Sequence, residues 1–262
     1  MEANLTVAEP ASEWHLLESV SDRDLEYVAP GGAAALRRDP RLLALALDDA
    51  ELFTRLSEEG DALLKVSPFV LFHVLMRQAV RELGQTAFTV ERAGFRQRVA
   101  VFDAPQVRDF LDDPSMVGYL SELLTSFTRV SSGSTWHRTK RGWRRRRFSD
   151  LDLRSLEAME ADATAGDRFY LDRRIGEVAL FLLGVFPDAM QRPRLHGRTP
   201  EEVEVIGASR YRRAAGHPLA ERAGVAPLLA TLGRRFHMAR KALNFLTDRF
   251  LYPLRTQWFP ST

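Results

Sequence analysis

The amino-acid sequence predicts a mainly α-helical fold, a compact multi-helix domain that carries one or two β-hairpins at about residues 88–102 and 135–148. One observation is a segment bounded by helix signals: Ser67 can cap its N-terminus, Pro68 suits its first turn and Gly84 follows its end. A second is that two segments rich in β-branched and aromatic residues, each centred on a glycine, interrupt the helical segments. The content of 45% apolar and 27% charged residues is typical of a soluble globular protein.

Other helices are expected on both sides of the Ser67 helix. Ser149, followed three residues later by Asp152, resembles a capping box, and Thr199-Pro200 with Glu202 is a similar start signal. The remaining signals predict breaks at 48–49 and 60, a start at 114, a long helix over about 167–186 and a pair of helices over about 200–252.

The predicted organisation is a single domain with four parts. Residues 1–30 form a poorly ordered leader or a short helix, and residues 31–186 form a helical core with the two hairpins. Residues 187–199, rich in proline and basic residues, are a linker. Residues 200–262 form a C-terminal helical hairpin that packs on the same core.

Each hairpin is predicted to turn at a dipeptide whose second residue is glycine, at Ala93-Gly94 and at Arg141-Gly142. The two hairpins are expected to share one small sheet. The second turn would pair Lys140 with Trp143, Arg138 with Arg145 and Trp136 with Arg147, and such paired residues lie on one face.

We call residues 135–148 the basic ribbon, because they contain two Trp and seven Lys or Arg but no acidic residue. Three interpretations are compatible with this composition. In the first, the cations bind phosphates while the Trp rings stack on bases. In the second, the cations pair with acidic surfaces from residues 1–60 or 149–190 of the same chain or of a second subunit. In the third, the ribbon is a solvated protrusion. The predicted polyanion-binding residues are Trp136, Arg138, Lys140, Trp143, Arg144, Arg145, Arg146 and Arg147.

Charge is strongly segregated along the chain although the formal net charge is only +2. The net charge is −8 over residues 1–60, +7 over 135–148, −5 over 149–190 and +8 over 191–262. This pattern indicates either an acidic part folded against a basic part or a basic face for an anionic partner.

A second candidate site is a cleft for an anionic ligand. His73 interrupts an apolar run and aligns with Arg77 and Arg81 at helical spacing, a line that would also suit a solvent-facing stripe. Glu177 enters a very apolar helix, where Arg173 or Arg174 can pair with it. An enzyme of unrecognised type with a site near His73, Arg77 and Glu177 is therefore one hypothesis.

Familiar catalytic motifs are missing from the sequence. It has no phosphate-binding loop, no dinucleotide fingerprint, no His pair at metal-ligand spacing and no cysteine, so neither a cofactor nor a metal is predicted. The longest apolar runs are too short to span a membrane, and the N-terminus lacks the features of a signal peptide. These features favour a cytoplasmic location and no membrane partner.

The function predicted from these observations is non-enzymatic binding or regulation, with nucleic acid or another polyanion as the partner of the basic ribbon. The alternative is a helical adaptor or homo-oligomer whose basic ribbon pairs with an acidic protein surface.

Overall fold

The structure is a computed structural model that describes residues 13–58, 65–93, 97–128, 132–139, 142–149, 151–161, 163–190 and 197–252. For residues 13–15, 132–139, 142–149 and 165 it describes the backbone. Within the described part, no helix is long and apolar enough to cross a membrane.

The predicted mainly α-helical fold is confirmed. In chain order the described helices are α1 (Glu13–Ser19), α2 (Asp22–Val28), α3 (Ala33–Arg38), α4 (Pro40–Leu47), α5 (Ala50–Glu58), α6 (Pro68–Leu83), α7 (Ala104–Leu111), α8 (Pro114–Ser126), α9 (Leu153–Ala161), α10 (Ala165–Val185), α11 (Pro187–Met190), α12 (Pro200–Ala215), α13 (Pro218–Arg222), α14 (Ala226–Arg234) and α15 (Phe236–Leu246). A π-helical turn, Thr247–Leu251, continues α15. The described strands are β1 (Thr89–Arg92), β2 (Arg98–Val101), β3 (Ser132–Thr139) and β4 (Gly142–Ser149).

Two of the predicted helix starts are confirmed by their caps. The Ser67 hydroxyl accepts a hydrogen bond from the Val70 backbone N–H at 3.4 Å, and α6 ends at Gly84. Thr199 and Glu202 form a reciprocal capping box at the start of α12. The local sequence therefore determines where these two helices begin.

The predicted capping box at Ser149 is wrong, because Ser149 is the last residue of β4. Asp152 caps α9 instead, accepting hydrogen bonds from the Arg154 backbone N–H at 3.1 Å and from the Ser155 hydroxyl. Strand pairing thus extends through the residue that the sequence pattern assigned to a helix cap.

The described residues fall into two compact units. The first unit comprises described residues between 8 and 125 and between 238 and 254, and the second comprises those between 126 and 237. The four-part organisation deduced from the sequence stays a prediction.

The longest described helix of the first unit is α6. Its apolar side chains are almost entirely buried, including Phe72, Val74 and Met76 at 0% exposure, and it contacts α4, α5 and α7. Burial on several faces agrees with the apolar sequence of this helix.

The second unit is built on the packing of α10 against α9 and α12, and of α12 against α14. Small residues allow the close approach: a Cβ atom at Gly207 in α12 would lie 2.5 Å from the Phe236 ring and 2.8 Å from the Ala179 Cβ atom. The absence of a side chain at 207 therefore sets the distance between these elements.

We expect Gly207→Ala to destabilise the second unit by about 1–3 kcal/mol, because the methyl group would overlap atoms of a packed core. Gly166→Ala is the matched control, since a Cβ atom at exposed Gly166 in α10 would meet no atom within 4 Å. The control should be neutral or stabilising by up to about 1 kcal/mol. Urea denaturation of both variants measures the difference, and equal stabilities would contradict the packing described for Gly207.

Both hairpins exist, but the turns and the shared sheet were predicted wrongly. In the first hairpin Arg92 pairs with Arg98, and the Ala93 N–H donates to the Gln97 carbonyl at 3.1 Å, so the strands do not close over a two-residue turn at Ala93-Gly94; residues 94–96 lie outside the described residues. In the second, Thr139 pairs with Gly142, which leaves Lys140 and Arg141 as the connection; both lie outside the described residues. The described strands form two separate two-stranded sheets.

Candidate functional site

The backbone register places the described residues of the basic ribbon on two faces. The pairs Trp136 with Arg145 and Arg138 with Trp143 lie on the same face as Arg147, and the other face carries Arg144 and Arg146. The register differs by two residues from the predicted one. A shift of two preserves the faces, because side chains alternate with period two.

The corrected register also changes which residues lie opposite each other. Arg138 is opposite Trp143 rather than Arg145, and His137 is opposite Arg144. Among the eight pairs of the described ladder, none joins two Lys or Arg residues. The expected penalty for like charges in directly opposite positions is therefore avoided.

Carboxylates of the acidic segment 149–190 pair with arginines of the C-terminal basic segment. Glu157 accepts two hydrogen bonds from Arg198, at 2.6 and 3.2 Å. Glu160 contacts Arg213 at 2.7 Å and Arg210 at 3.1 Å, and Asp172 contacts Arg210 at 2.8 Å. Part of the charge segregation thus reflects acidic and basic helices folded against each other.

The Glu160 and Arg210 pairing is reflected in their pKa values. Burial would raise the pKa of Glu160, but the hydrogen bonds from Arg213 and Arg210 outweigh it and hold the pKa below its usual range. Burial likewise opposes the charge of Arg210, and its contacts with Asp172 and Glu160 raise its pKa. These groups stay charged at neutral pH, as a structural ion-pair cluster requires.

The predicted line of His73, Arg77 and Arg81 converges on one carboxylate in the first unit. Asp48, at the end of α4, accepts from Arg77 Nε at 2.8 Å and Arg81 Nη1 at 2.9 Å, and it also pairs with Arg77 Nη2. Burial would raise the pKa of Asp48, but Arg77, Arg81 and His73 hold it below its usual range. The anion facing these arginines is therefore part of the chain.

His73 itself is buried, at 6% exposure, so its interpretation as part of a solvent-facing stripe is wrong. Its ring packs on Phe69, and its Nδ1 atom is buried without a hydrogen-bond partner. Burial, reinforced by the charge of Arg77, lowers the pKa of His73 to about 4 despite the opposing effect of Asp48. His73 is neutral at physiological pH.

Glu177 lies in the second unit and pairs with both candidate arginines. Arg173 Nε donates to it at 3.1 Å and Arg174 Nη1 at 3.3 Å, and all three residues are buried. Arg174 Nη1 also lies 3.0 Å from the Ser126 hydroxyl, and its guanidinium carbon lies 4.1 Å from the centre of the Phe127 ring. His73, Arg77 and Arg81 belong to the first unit, so the two groups are described separately.

The sequence did not reveal a buried ionic cluster in the first unit. By helical spacing alone, Arg234, His237 and Lys241 would lie along one side of a helix as a solvated basic stripe, but Lys241 is only 9% exposed. It contacts Glu91 at 2.6 Å and also pairs with Asp103. These partners lie at least 138 positions away along the chain, so no local spacing rule could identify them.

The cluster is held in its charged form. Burial opposes ionisation of each group, yet the contacts with Lys241 hold the pKa values of Glu91 and Asp103 below their usual ranges. The same contacts raise the pKa of Lys241 above its ordinary value. Lys241 is therefore unsuited to act as a neutral nucleophile or base at physiological pH.

A cavity of about 250 Å³ lies beside this cluster. Strand β1 and the residues before it form one wall, and α15 with the π-helical turn forms another. The lining residues are Thr86, Phe88, Thr89, Val90, Lys241, Phe245, Asp248 and Arg249.

Comparisons with known proteins find no counterpart. No protein-family model matches the chain, and no curated protein and no solved structure matches it. Among the described residues, no group of three or more His, Cys, Asp or Glu side chains is arranged to hold a metal ion.

Proposed function

We propose that this protein binds nucleic acid through the basic ribbon. The observation that carries the proposal is the β3–β4 ladder, a separate two-stranded sheet in which arginines occupy both faces and two Trp residues share one of them. Guanidinium groups bind phosphate oxygens in a bidentate manner, so this residue content suits a phosphate backbone.

The dimensions of the ladder support this proposal. Eight residues per strand at about 3.4 Å each give a ribbon roughly 27 Å long. A two-stranded ribbon is narrow enough to enter the major groove of B-DNA, which is about 12 Å wide. The ribbon is also long enough to track several consecutive phosphates of a single strand.

The distribution of residues favours single-stranded nucleic acid over a duplex. Trp136 and Trp143 lie on the face that also carries Arg138, Arg145 and Arg147. Aromatic rings stack on unpaired bases whatever the sequence, while neighbouring arginines bind the backbone. Both base stacking and phosphate binding can therefore be provided by a single face.

Ion pairs elsewhere in the second unit weaken the interpretation that the ribbon is neutralised by its own chain. Glu157, Glu160 and Asp172 are already engaged by Arg198, Arg210 and Arg213. Three carboxylates of the acidic segment 149–190 thus have partners other than the ribbon, which supports an external polyanion as the partner of the ribbon.

The alternative proposal is an adaptor or homo-oligomer in which the ribbon pairs with an acidic protein surface. It is supported by exposed carboxylates in the N-terminal segment, where Asp49, Glu51 and Glu58 are all exposed. An enzyme with a site near His73, Arg77 and Glu177 has less support, because Arg77 and Glu177 are each held in ion pairs.

The test is binding of labelled single-stranded and duplex oligonucleotides across a salt series. One variant changes Arg144, Arg145, Arg146 and Arg147 to Ala. A control variant with the same change in net charge replaces four exposed arginines outside the ribbon: Arg38, Arg98, Arg168 and Arg222.

We expect the wild type to bind the single strand more tightly than the duplex, with a logarithmic salt dependence whose slope is several units. The ribbon variant should lose roughly three units of slope, at about 0.7 to 0.9 unit per phosphate contact, while the control keeps most of it. Equal losses in the two variants would show that only net charge matters. If neither oligonucleotide binds below about 100 μM at physiological salt, the nucleic-acid proposal fails.

A further inference from the structure

The cavity in the first unit has an apolar interior that is distinct from the basic ribbon. Phe88, Val90 and Phe245 supply rings and methyl groups, and Phe88 also packs edge-on against Phe102. Phe88 and Phe102 are 42% and 76% exposed, so the apolar surface continues out of the cavity. A ligand there can bury an apolar group without leaving it in water.

The size of the cavity limits the ligand. A cavity of roughly 150 Å³ is enough to hold a benzene ring. The cavity here measures about 250 Å³, which allows one ring or a branched aliphatic group together with a short substituent. Long acyl chains would not fit inside it.

All three charged lining residues have counter-charges within the chain, and Arg249 pairs with Glu82. Lys241 pairs with Glu91 and Asp103, and Asp248 pairs with Arg92 at 2.7 Å. These contacts compensate the charges of Lys241 and Asp248, so a ligand needs no ionic group beside them.

Arg249 differs from the other two charged residues. Its side chain is 60% exposed, and its Nε atom donates to Glu82 at 2.9 Å. Within the described part of the chain, its Nη1 and Nη2 atoms make no further hydrogen bond. A guanidinium edge at the solvent side of an apolar cavity is well suited to bind a carboxylate with two hydrogen bonds.

The backbone of the cavity wall that carries Arg249 has an uncommon conformation. Residues Thr247–Leu251 form a π-helical turn, closed by a hydrogen bond of 2.8 Å from the Tyr252 N–H to the Thr247 carbonyl. Such turns are rare and are found disproportionately at functional sites. This one carries Asp248 and Arg249, the two residues that bring charge to the outer part of the cavity.

We infer that the cavity binds a small monocarboxylic acid, with one aromatic or branched aliphatic group inside and its carboxylate on Arg249. The interaction is non-covalent and involves no proton transfer, because Lys241 and its partners stay charged. This site is independent of the ribbon, and neither proposal requires the other.

The test uses phenylacetate and 4-methylpentanoate as probes. Comparing them shows whether the cavity prefers an aromatic or a branched aliphatic group. Phenylacetamide is the neutral counterpart of the first. Binding to the full chain is measured by saturation-transfer NMR and by titration calorimetry. The variants are Arg249→Gln, Val90→Phe to fill the cavity and Arg38→Gln as an exposed arginine outside the lining.

We expect at least one acid to bind the wild type with a Kd on the order of 1 mM, as befits a ligand of this size. Arg249→Gln should weaken binding at least about ten-fold, the effect of losing a charge-assisted pair of hydrogen bonds. Val90→Phe should abolish binding, whereas Arg38→Gln should leave it unchanged. Phenylacetamide should bind the wild type as weakly as phenylacetate binds Arg249→Gln.

Three outcomes would overturn the inference. The first is that neither acid binds at a concentration 10-fold above the expected Kd. The second is that phenylacetate binds the wild type and Arg249→Gln with equal affinity. The third is that Arg38→Gln weakens binding as much as Arg249→Gln does. Unchanged thermal melting of each variant confirms that it is folded; because Arg249 is mostly exposed, its variant is expected to fold. Val90→Phe provides a second readout that does not depend on charge.

Discussion

Replacement of Glu177 by Ala is expected to lower the free energy of unfolding by about 3–5 kcal/mol. Glu177 is 0% exposed and is the counter-charge for Arg173 and Arg174, which are 4% and 1% exposed. Without the carboxylate, two guanidinium charges would stay buried in an apolar helix interface. Arg174 already has two buried nitrogens, Nε and Nη2, without a hydrogen-bond partner, and without Glu177 its contact with the neutral Ser126 hydroxyl would not compensate its charge.

Urea denaturation with linear extrapolation measures this change. Asp22→Ala is the matched control, because it removes the carboxylate of an ion pair with Arg37 in which Asp22 is 89% exposed. That variant should differ from the wild type by no more than about 1 kcal/mol. A loss of less than 1 kcal/mol for Glu177→Ala would contradict the burial of this triad.

A triple variant separates the cost of an unpaired charge from the value of the ion pairs. Changing Arg173 and Arg174 to Met together with Glu177→Leu removes all three charges and keeps a similar apolar volume. Because desolvation offsets most of the Coulombic attraction in a buried ion pair, we expect this variant to be at least as stable as Glu177→Ala and close to the wild type. If the triple variant is less stable than Glu177→Ala, the ion pairs contribute more than their desolvation costs.

The fold class could be predicted because its signals are local. Ser67, Pro68 and Gly84 define a helix by the hydrogen bonds and backbone angles of a few neighbouring residues, and the structure begins and ends α6 there. The capping box of Thr199 and Glu202 is determined in the same way. Such signals do not depend on the rest of the chain.

Hairpin register is harder to predict from the sequence than helix ends are, because it depends on the turn and on what packs against each face of the strands. Glycine at 94 and at 142 suggested two-residue turns, but the ladder of the second hairpin closes one residue earlier, with Gly142 already paired with Thr139. Register is specified strongly only where one face is buried. Both faces of the basic ribbon carry arginines, so hydrophobic patterning gave no further information about it.

The cavity and the Lys241 cluster could not be found from the sequence at all. Lys241, Glu91 and Asp103 come from α15, β1 and the residue before α7, and they meet only after these elements pack. Helical spacing predicts that Lys241 lies on the same side of a helix as Arg234 and His237. It does not predict whether other elements of the fold pack against that side. Tertiary packing decides that question.

The stability of the protein is expected to fall by roughly 3 kcal/mol between pH 6.5 and pH 4 because of His73. Its pKa is about 4 in the folded chain and near 6.5 in an unfolded one. As the pH falls through this window, the unfolded chain takes up a proton that the folded chain does not, so unfolding becomes more favourable. Above about pH 7.5 the ring is neutral in both states and contributes no pH dependence.

His73→Phe isolates this effect. The substitution keeps an aromatic ring against Phe69 and removes the buried Nδ1 atom that has no hydrogen-bond partner. Replacing an unsatisfied polar atom by an apolar one is nearly neutral or stabilising, so the variant should match the wild type at pH 8 within about 1 kcal/mol. At pH 4 it should be the more stable protein by roughly 3 kcal/mol.

The comparison between wild type and His73→Phe also cancels the contribution that Glu91, Asp103 and Glu160 make to the pH dependence of stability. Asp48, Glu91, Asp103 and Glu160 have lowered pKa values, so their contribution to stability is present above their unfolded pKa values and is lost as the pH falls through the folded ones. Wild type and His73→Phe share the losses at Glu91, Asp103 and Glu160. Denaturation midpoints measured at pH 4, 5, 6.5 and 8 should therefore diverge progressively below pH 6.5. Parallel curves over this range would mean that His73 takes up its proton equally well in both states, and the burial assigned to it would be wrong.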